Sequence, residues 1–151
     1  MCREASLNSS SSGKLYLGLM YLRGQGLAQN TSLGARLIKE SAQLGNTKAL
    51  ETVARFYQSG DLGEQNMTAS CDWWQRLAFL GEALGQEKLG VCYLRGQGRD
   101  KDMRLGYAYL SLAAKGGSSA AEYIIETYDA RFSESEKQKA LELADQIGTN
   151  Y

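Results

Sequence analysis

LGLMYLRGQG, residues 17–26, returns 72 residues later as LGVCYLRGQG, residues 89–98. Halfway between them, VARFYQSG at residues 53–60 keeps the small residue, the tyrosine and the glycine at the same offsets. A second block, alanine followed three residues later by glycine, keeps the same step at residues 42, 78 and 114. Self-similarity at a fixed period is the signature of a repeat protein. The chain is therefore predicted to contain three copies of a 36-residue unit.

Each unit is predicted to form two helices. In the first helix a leucine or valine, a small residue and the tyrosine are spaced at i, i+1 and i+4, so they share one face. Glycine inside a helix costs about 1 kcal/mol relative to alanine, and close approach of a neighbouring helix is the expected compensation. The Gly-x-Gly that follows can end the helix in a left-handed conformation. The positions expected to carry this architecture are Gly18, Tyr21, Gly24, Gly26, Ala42, Tyr57, Gly60, Ala78, Gly90, Tyr93, Gly96, Gly98 and Ala114.

Capping residues predict where the second helices begin. Asn30, Asn66 and Asp102 are 36 residues apart, and their side-chain oxygens can accept a hydrogen bond from an unpaired backbone N–H. After the third copy the pattern changes, and Ser133 to Glu136 has the Ser-x-x-Glu spacing of a capping box before a last helix. The sequence thus predicts an all-α fold, an α-solenoid of eight helices in four antiparallel pairs.

The predicted organisation has three parts. A serine-rich polar tail occupies residues 1–13, and the repeat array occupies residues 14–132. Residues 133–151 form a C-terminal capping helix, because repeat arrays usually end in an atypical unit that covers the last apolar face. The units of the array are predicted at residues 14–46, 47–82, 83–118 and 119–132 onward.

Composition argues against several classes of function. Seventeen basic residues balance seventeen acidic ones, so no overall field favours nucleic acid or an anionic membrane. Histidine is absent, which removes the most common general base and metal ligand. The apolar runs are too short to cross a bilayer. We therefore expect no enzyme, no cofactor, no metal site and no transmembrane segment, and we expect a monomer.

The spacings resemble those of the Sel1-like repeat family, relatives of tetratricopeptide repeats with a slightly longer unit. Residues 17–45 and 89–117 contain the leucine-glycine pair, the tyrosine, the Gly-x-Gly and the cap, and the family's Ala-Ala-x-x-Gly end is complete in the second stretch and begins with Ser41 in the first. The middle copy departs from this pattern, with Leu62 where the second glycine belongs. The resemblance implies a right-handed superhelix and a bacterial protein-binding scaffold, with a periplasmic, envelope-associated or secreted location. A cytoplasmic location stays open as the alternative.

By position in the related tetratricopeptide geometry, the first helices line a concave face that can accommodate a peptide or partner helix. Leucine beside arginine at residues 22–23 and 94–95 offers apolar contact and a guanidinium that can bind a carboxylate or a backbone oxygen. Alternatively, these arginines are solvated helix ends favoured by the helix dipole. The candidate partner-binding residues are Leu19, Leu22, Arg23, Lys48, Glu51, Arg55, Gln58, Leu84, Glu87, Val91, Leu94 and Arg95.

Cysteines and tryptophans give further expectations. Cys71 shares its position with Ala35, and Cys92 shares its position with Phe56, so buried free thiols are favoured over a disulfide. Trp74 is expected in the core and Trp73 partly exposed.

Cys2 precedes a polar, serine-rich stretch and resembles the lipid-bearing start of a bacterial lipoprotein. The alternative functions are therefore an envelope-anchored, pilotin-like assembly protein and, more remotely, a hydrolase. An accidental cysteine near the N-terminus is the plain alternative to a lipid anchor.

Overall fold

The computed structural model describes residues 10–149, which contain eight α-helices and one short 3-10 helix. The described part of the chain contains no strand, which confirms the all-α prediction. It divides into two compact units between Asn66 and Met67. The helices are α1 (Ser11–Arg23), α2 (Thr31–Gln43), α3 (Thr47–Ser59), α4 (Met67–Phe79), α5 (Ala83–Arg95), α6 (Met103–Lys115), α7 (Ser119–Tyr128) and α8 (Glu134–Gly148), with the 3-10 helix at Asp129–Arg131.

The first helix begins earlier than the sequence predicted. Ser10 caps α1, because its side-chain oxygen accepts a hydrogen bond of 2.9 Å from the backbone N–H of Gly13. Gly13 is buried. The predicted polar tail to residue 13 was therefore three residues too long, since serine was counted as a sign of disorder although it is also a preferred N-cap.

Glycines end the first helices as predicted. Gly24, Gly60 and Gly96 have left-handed backbones with φ of 67°, 79° and 66°. At each of them the backbone N–H donates to the carbonyl four residues earlier. The predicted caps at Asn30 and Asp102 are also confirmed. Each side-chain oxygen accepts a hydrogen bond from a backbone N–H three residues later, with nitrogen–oxygen distances of 3.1 Å and 3.0 Å. The turn chemistry of the repeat is therefore carried by residues that the sequence identifies.

The helix-interior glycines mark close helix contacts, also as predicted. In the first unit, a Cβ added at Gly18 would lie 2.8 Å from the carbonyl oxygen of Gly34 on α2. In the second unit, a Cβ added at Gly90 would lie 3.0 Å from the carbonyl oxygen of Gly106 on α6. Real Cβ atoms avoid these distances, so neither helix pair could pack as closely with a larger residue.

The core of the second unit is centred on α6. Tyr107 packs edge to face on Phe132, with ring centroids 4.8 Å apart, and both α7 and α8 pack against α6. Trp74 is fully buried, as predicted. Trp73 is buried too, and the prediction that it is partly exposed was wrong. The guanidinium of Arg76, one helical turn later, lies 4.9 Å from the ring centroid of Trp73 and covers its indole.

A disulfide joins Cys71 on α4 to Cys92 on α5. The expectation of free thiols was therefore wrong, although both residues are buried as predicted. Their Cα atoms are 6.4 Å apart because α4 and α5 pack against each other and bring together residues that are 21 apart in sequence. The burial of each cysteine follows from its own place in the repeat, whereas the bond depends on whether the two positions face each other once the helices have packed.

Candidate protein-binding surface

The predicted partner-binding residues differ widely in exposure. Arg23, Lys48, Arg55 and Arg95 are exposed, and most of the remainder are half-buried. Long basic side chains at the ends of α1 and α5 are therefore free to reach a ligand. Whether these residues bind a partner stays a prediction.

Two of the predicted binding residues are not available. Glu87 is only 8% exposed and accepts a hydrogen bond of 2.9 Å from the hydroxyl of Ser118, the N-cap of α7. Leu94 is 2% exposed and belongs to the core beside Tyr107 and Leu110. Assigning them to an open face was an error, because helix period alone does not show which side a neighbouring helix covers.

Leu22, the counterpart of Leu94 in the first unit, also packs inward. Its Cδ2 would lie 2.9 Å from a Cβ added at Gly34 on α2. The leucine of each leucine-arginine pair is therefore a packing residue, and only the arginine is exposed. Recognition by these pairs would rest on the guanidinium.

A cleft of about 520 Å³ lies along α3 and brings together two of the predicted residues, Arg55 and Gln58. Arg55 forms an ion pair of 3.0 Å with Glu51, one turn earlier. The side-chain oxygen of Gln58 is buried and accepts no hydrogen bond from residues 10–149. Buried polar atoms usually have partners, so this acceptor is an exception, and a ligand donor reaches it only when the Gln58 side chain turns outward.

A second cleft, of about 460 Å³, lies between α2 and α3 and was missed at the sequence level. Arg36 and Lys39 of α2 face Phe56 and Tyr57 of α3 across it. The turn after α3 forms its end, at the point where Leu62 departs from the repeat pattern. That departure was a signal that the turn of this copy differs from the others, but by itself it does not locate a cleft.

Ion pairs set the charge around α2. Lys14 of α1 donates a hydrogen bond of 2.9 Å to Glu40, and this bond lowers the pKa of Glu40 below its ordinary value of 4.5. Arg36 lies 3.9 Å from the other oxygen of the same carboxylate. Glu40 is thus already neutralised by Lys14, and the guanidinium of Arg36 remains mostly in solvent.

An all-helical repeat protein with exposed clefts along its helices is the class that this geometry defines. The Sel1 repeat family model matches residues 11–46, 48–81 and 83–118, so the chain belongs to the Sel1 repeat family. The first match begins at residue 11, where α1 begins. The resemblance predicted from the glycine and tyrosine spacing is confirmed.

Relatives of known sequence are longer proteins. The chain is 32% identical over 89 residues to protein sel-1 homolog 2 of Mus musculus and 30% identical over 89 residues to its counterpart in Homo sapiens. These matches cover 59% of this chain and 13% of each relative. The chain therefore spans a small part of the relatives that it matches.

Solved structures support the fold class. A Sel1 repeat protein from Oxalobacter formigenes superposes with a TM-score of 0.74 at 28% identity, covering 83% of this chain and 93% of that one. A protective antigen of uropathogenic Escherichia coli with a Sel1-like repeat (SLR) fold superposes with a TM-score of 0.78 at 25% identity. The superposition covers 97% of this chain and 32% of that one. Sel1 repeats generally form protein-interaction modules. None of the helices in residues 10–149 is long and apolar enough to span a bilayer.

Proposed function

We propose that this chain is a scaffold that binds a partner protein or peptide along its first helices, with the cleft on α3 as the main contact. The observation that carries the proposal is the buried, unpaired side-chain oxygen of Gln58 beside the exposed guanidinium of Arg55. A peptide backbone offers both an N–H donor and a carbonyl acceptor, which match these two side chains. A partner segment that draws the Gln58 side chain outward therefore satisfies an acceptor that folding leaves buried and unpaired.

The arginines at the ends of α1 and α5 are proposed as further partner contacts, each on its own unit. Arg23 and Arg95 occupy equivalent positions two repeats apart and are both exposed. Their planar guanidinium groups suit carboxylates and backbone oxygens of a partner. The leucines beside them, half-buried Leu22 and buried Leu94, pack against neighbouring helices.

The first test measures the affinity of a partner recovered by co-purification. We expect Arg55→Ala to weaken binding by roughly tenfold, because it removes a charge-assisted hydrogen bond at the centre of the surface. Arg104→Ala is the matched control, since Arg104 is an exposed arginine on α6, a second helix. Equal losses in the two variants would contradict the proposed surface.

We further propose that the protein works in an oxidising compartment, the periplasm, the cell envelope or the extracellular space. The disulfide between Cys71 and Cys92 supports this proposal, because disulfides persist mainly in such compartments. The candidate lipid anchor, Cys2, lies outside the described residues. Both cysteines are buried, so the location is tested by quenching cells in acid and alkylating the thiols under denaturing conditions. Full alkylation of Cys71 and Cys92 would contradict the proposed location.

A further inference from the structure

The groove between α4 and α5 corresponds, one repeat later, to the cleft between α2 and α3. A side chain of the protein itself occupies this groove. Arg99, in the turn after α5, donates hydrogen bonds of 2.7 Å to Asp72 and 2.7 Å to Gln75 on α4. Its side chain is only 16% exposed. Beside it, the Cys71–Cys92 disulfide links the two helices. The groove between these helices is therefore filled by the protein's own cation and its two acceptors.

The cleft between α2 and α3 has different residues at every one of these positions. Thirty-six residues earlier, Gly63 takes the place of the arginine, and a Cβ added there would meet nothing within 4 Å. Ala35 and Phe56 take the places of the cysteines. Arg36 and Lys39 take the places of the two acceptors. The groove is consequently open. Its α2 side carries two cations where the equivalent groove carries two hydrogen-bond acceptors.

The two cations of this groove have little anionic compensation. Lys39 donates a hydrogen bond of 2.8 Å to the neutral hydroxyl of Tyr57 and lies 5.5 Å from its ring centroid. Arg36 is 70% exposed, and the Glu40 carboxylate, 3.9 Å away, is already bound by Lys14. Among residues 10–149, Glu64 at the rim is the one acidic residue that lines the cleft. Two positive charges thus face one negative charge in the cleft, so one further carboxylate would make the cleft neutral.

Apolar side chains make up the other wall of the groove. Val53 and Phe56 of α3 and Leu62 of the following turn line it, so an occupant needs an apolar surface as well as a negative charge. We propose that this groove binds an acidic side chain of a partner peptide, with a neighbouring aromatic or aliphatic residue packed against α3. The carboxylate replaces, with opposite charge, the guanidinium that fills the equivalent groove in the third repeat. None of the residues that line this groove is among the candidate partner-binding residues predicted from the sequence, so the site goes beyond the proposed function.

The test uses ¹⁵N-labelled full-length protein and two blocked peptides, Gly-Phe-Glu-Gly and Gly-Phe-Gln-Gly, followed by amide chemical shifts. We expect the glutamate peptide to bind at least about fivefold more tightly, because only its side chain adds the attraction of a negative charge to the hydrogen bonds from the two cations. The shifts are expected at the amides of Ala35, Lys39, Tyr57 and Gly63. Equal affinity for the two peptides would overturn the proposal, as would shifts confined to other residues or no shift at all.

Matched variants identify the groups involved. We expect Lys39→Gln to weaken binding of the glutamate peptide by about fivefold and Glu64→Gln to strengthen it by about twofold. Lys115→Gln removes the same charge from an exposed site on α6, outside the groove and outside the predicted partner-binding residues, and should leave binding unchanged. Arg55→Ala should also leave binding of the glutamate peptide unchanged, so failure of the surface on α3 and failure of this groove give different results. A preserved amide spectrum of each variant verifies folding, and an effect of Lys115→Gln as large as that of Lys39→Gln would refute the site.

Discussion

Replacement of Gly90 by alanine tests the helix contact on which the repeat depends. In an isolated helix this change is stabilising by about 1 kcal/mol, because glycine is the more flexible residue. In the folded unit the new Cβ would lie 2.9 Å from Leu110 Cγ and 3.0 Å from the carbonyl oxygen of Gly106. Leu110 is 1% exposed and cannot move into solvent. Overpacking costs about 1–3 kcal/mol, and two contacts this short place Gly90→Ala in the upper half of that range. After subtraction of the helix gain of about 1 kcal/mol, we expect a net destabilisation of about 1–2 kcal/mol.

Urea unfolding of the oxidised protein measures the effect, with Gly90→Leu and Gly45→Ala as companions. Gly90→Leu should be more harmful than Gly90→Ala, because it places a whole side chain in the same contact. At Gly45 a Cβ would meet nothing within 4 Å, and only its left-handed φ of 90° opposes alanine. A loss there of about 1 kcal/mol measures backbone strain alone. If Gly90→Ala were as stable as the parent, the packing described for α5 and α6 would be refuted.

Three further predictions concern the disulfide, the hydrogen bonds of Arg99 and the ion pair between Lys14 and Glu40. Replacing Cys71 and Cys92 by serine should lower the free energy of unfolding by about 3 kcal/mol, because the disulfide restricts a loop of 21 residues in the unfolded chain; an unchanged urea midpoint would contradict it. Arg99→Ala should cost roughly 1–2 kcal/mol in urea unfolding, since it removes two hydrogen bonds and exposes their acceptors. The pKa of Glu40 is lowered by its hydrogen bond from Lys14, so the stability that this pair contributes is present above pH 4.5 and lost as pH falls through the lowered value. Glu40→Gln should therefore flatten the dependence of stability on pH in the acid range, and an unaltered acid limb would count against the pair.

The sequence predicted the repeat and its turns because each rests on a local requirement. Glycine at positions 24, 60 and 96 is needed for a left-handed backbone, and the caps at Asn30 and Asp102 satisfy N–H groups of the next turn. These requirements recur every 36 residues, so agreement among the copies made the pattern readable.

The errors concern contacts between helices, which helical periodicity does not specify. Glu87 was assigned to an open face although Ser118 of a later helix covers it. The disulfide was missed because its two positions belong to different helices and meet only after packing. The cleft between α2 and α3 exists because Gly63 leaves space that Arg99 fills in the next repeat. Only a comparison of the copies residue by residue, across both helices and the turn, could have revealed it.

The measurement that tests protein binding most directly is site-specific photocrosslinking in living cells. A photoreactive amino acid in place of Arg55 lies at the cleft on α3, and the same amino acid in place of Arg104 lies on the exposed surface of a second helix. We predict a covalent adduct with another protein at position 55 and none at position 104. Adducts of equal yield at both positions, or none at position 55, would contradict a scaffold that binds its partner along the first helices.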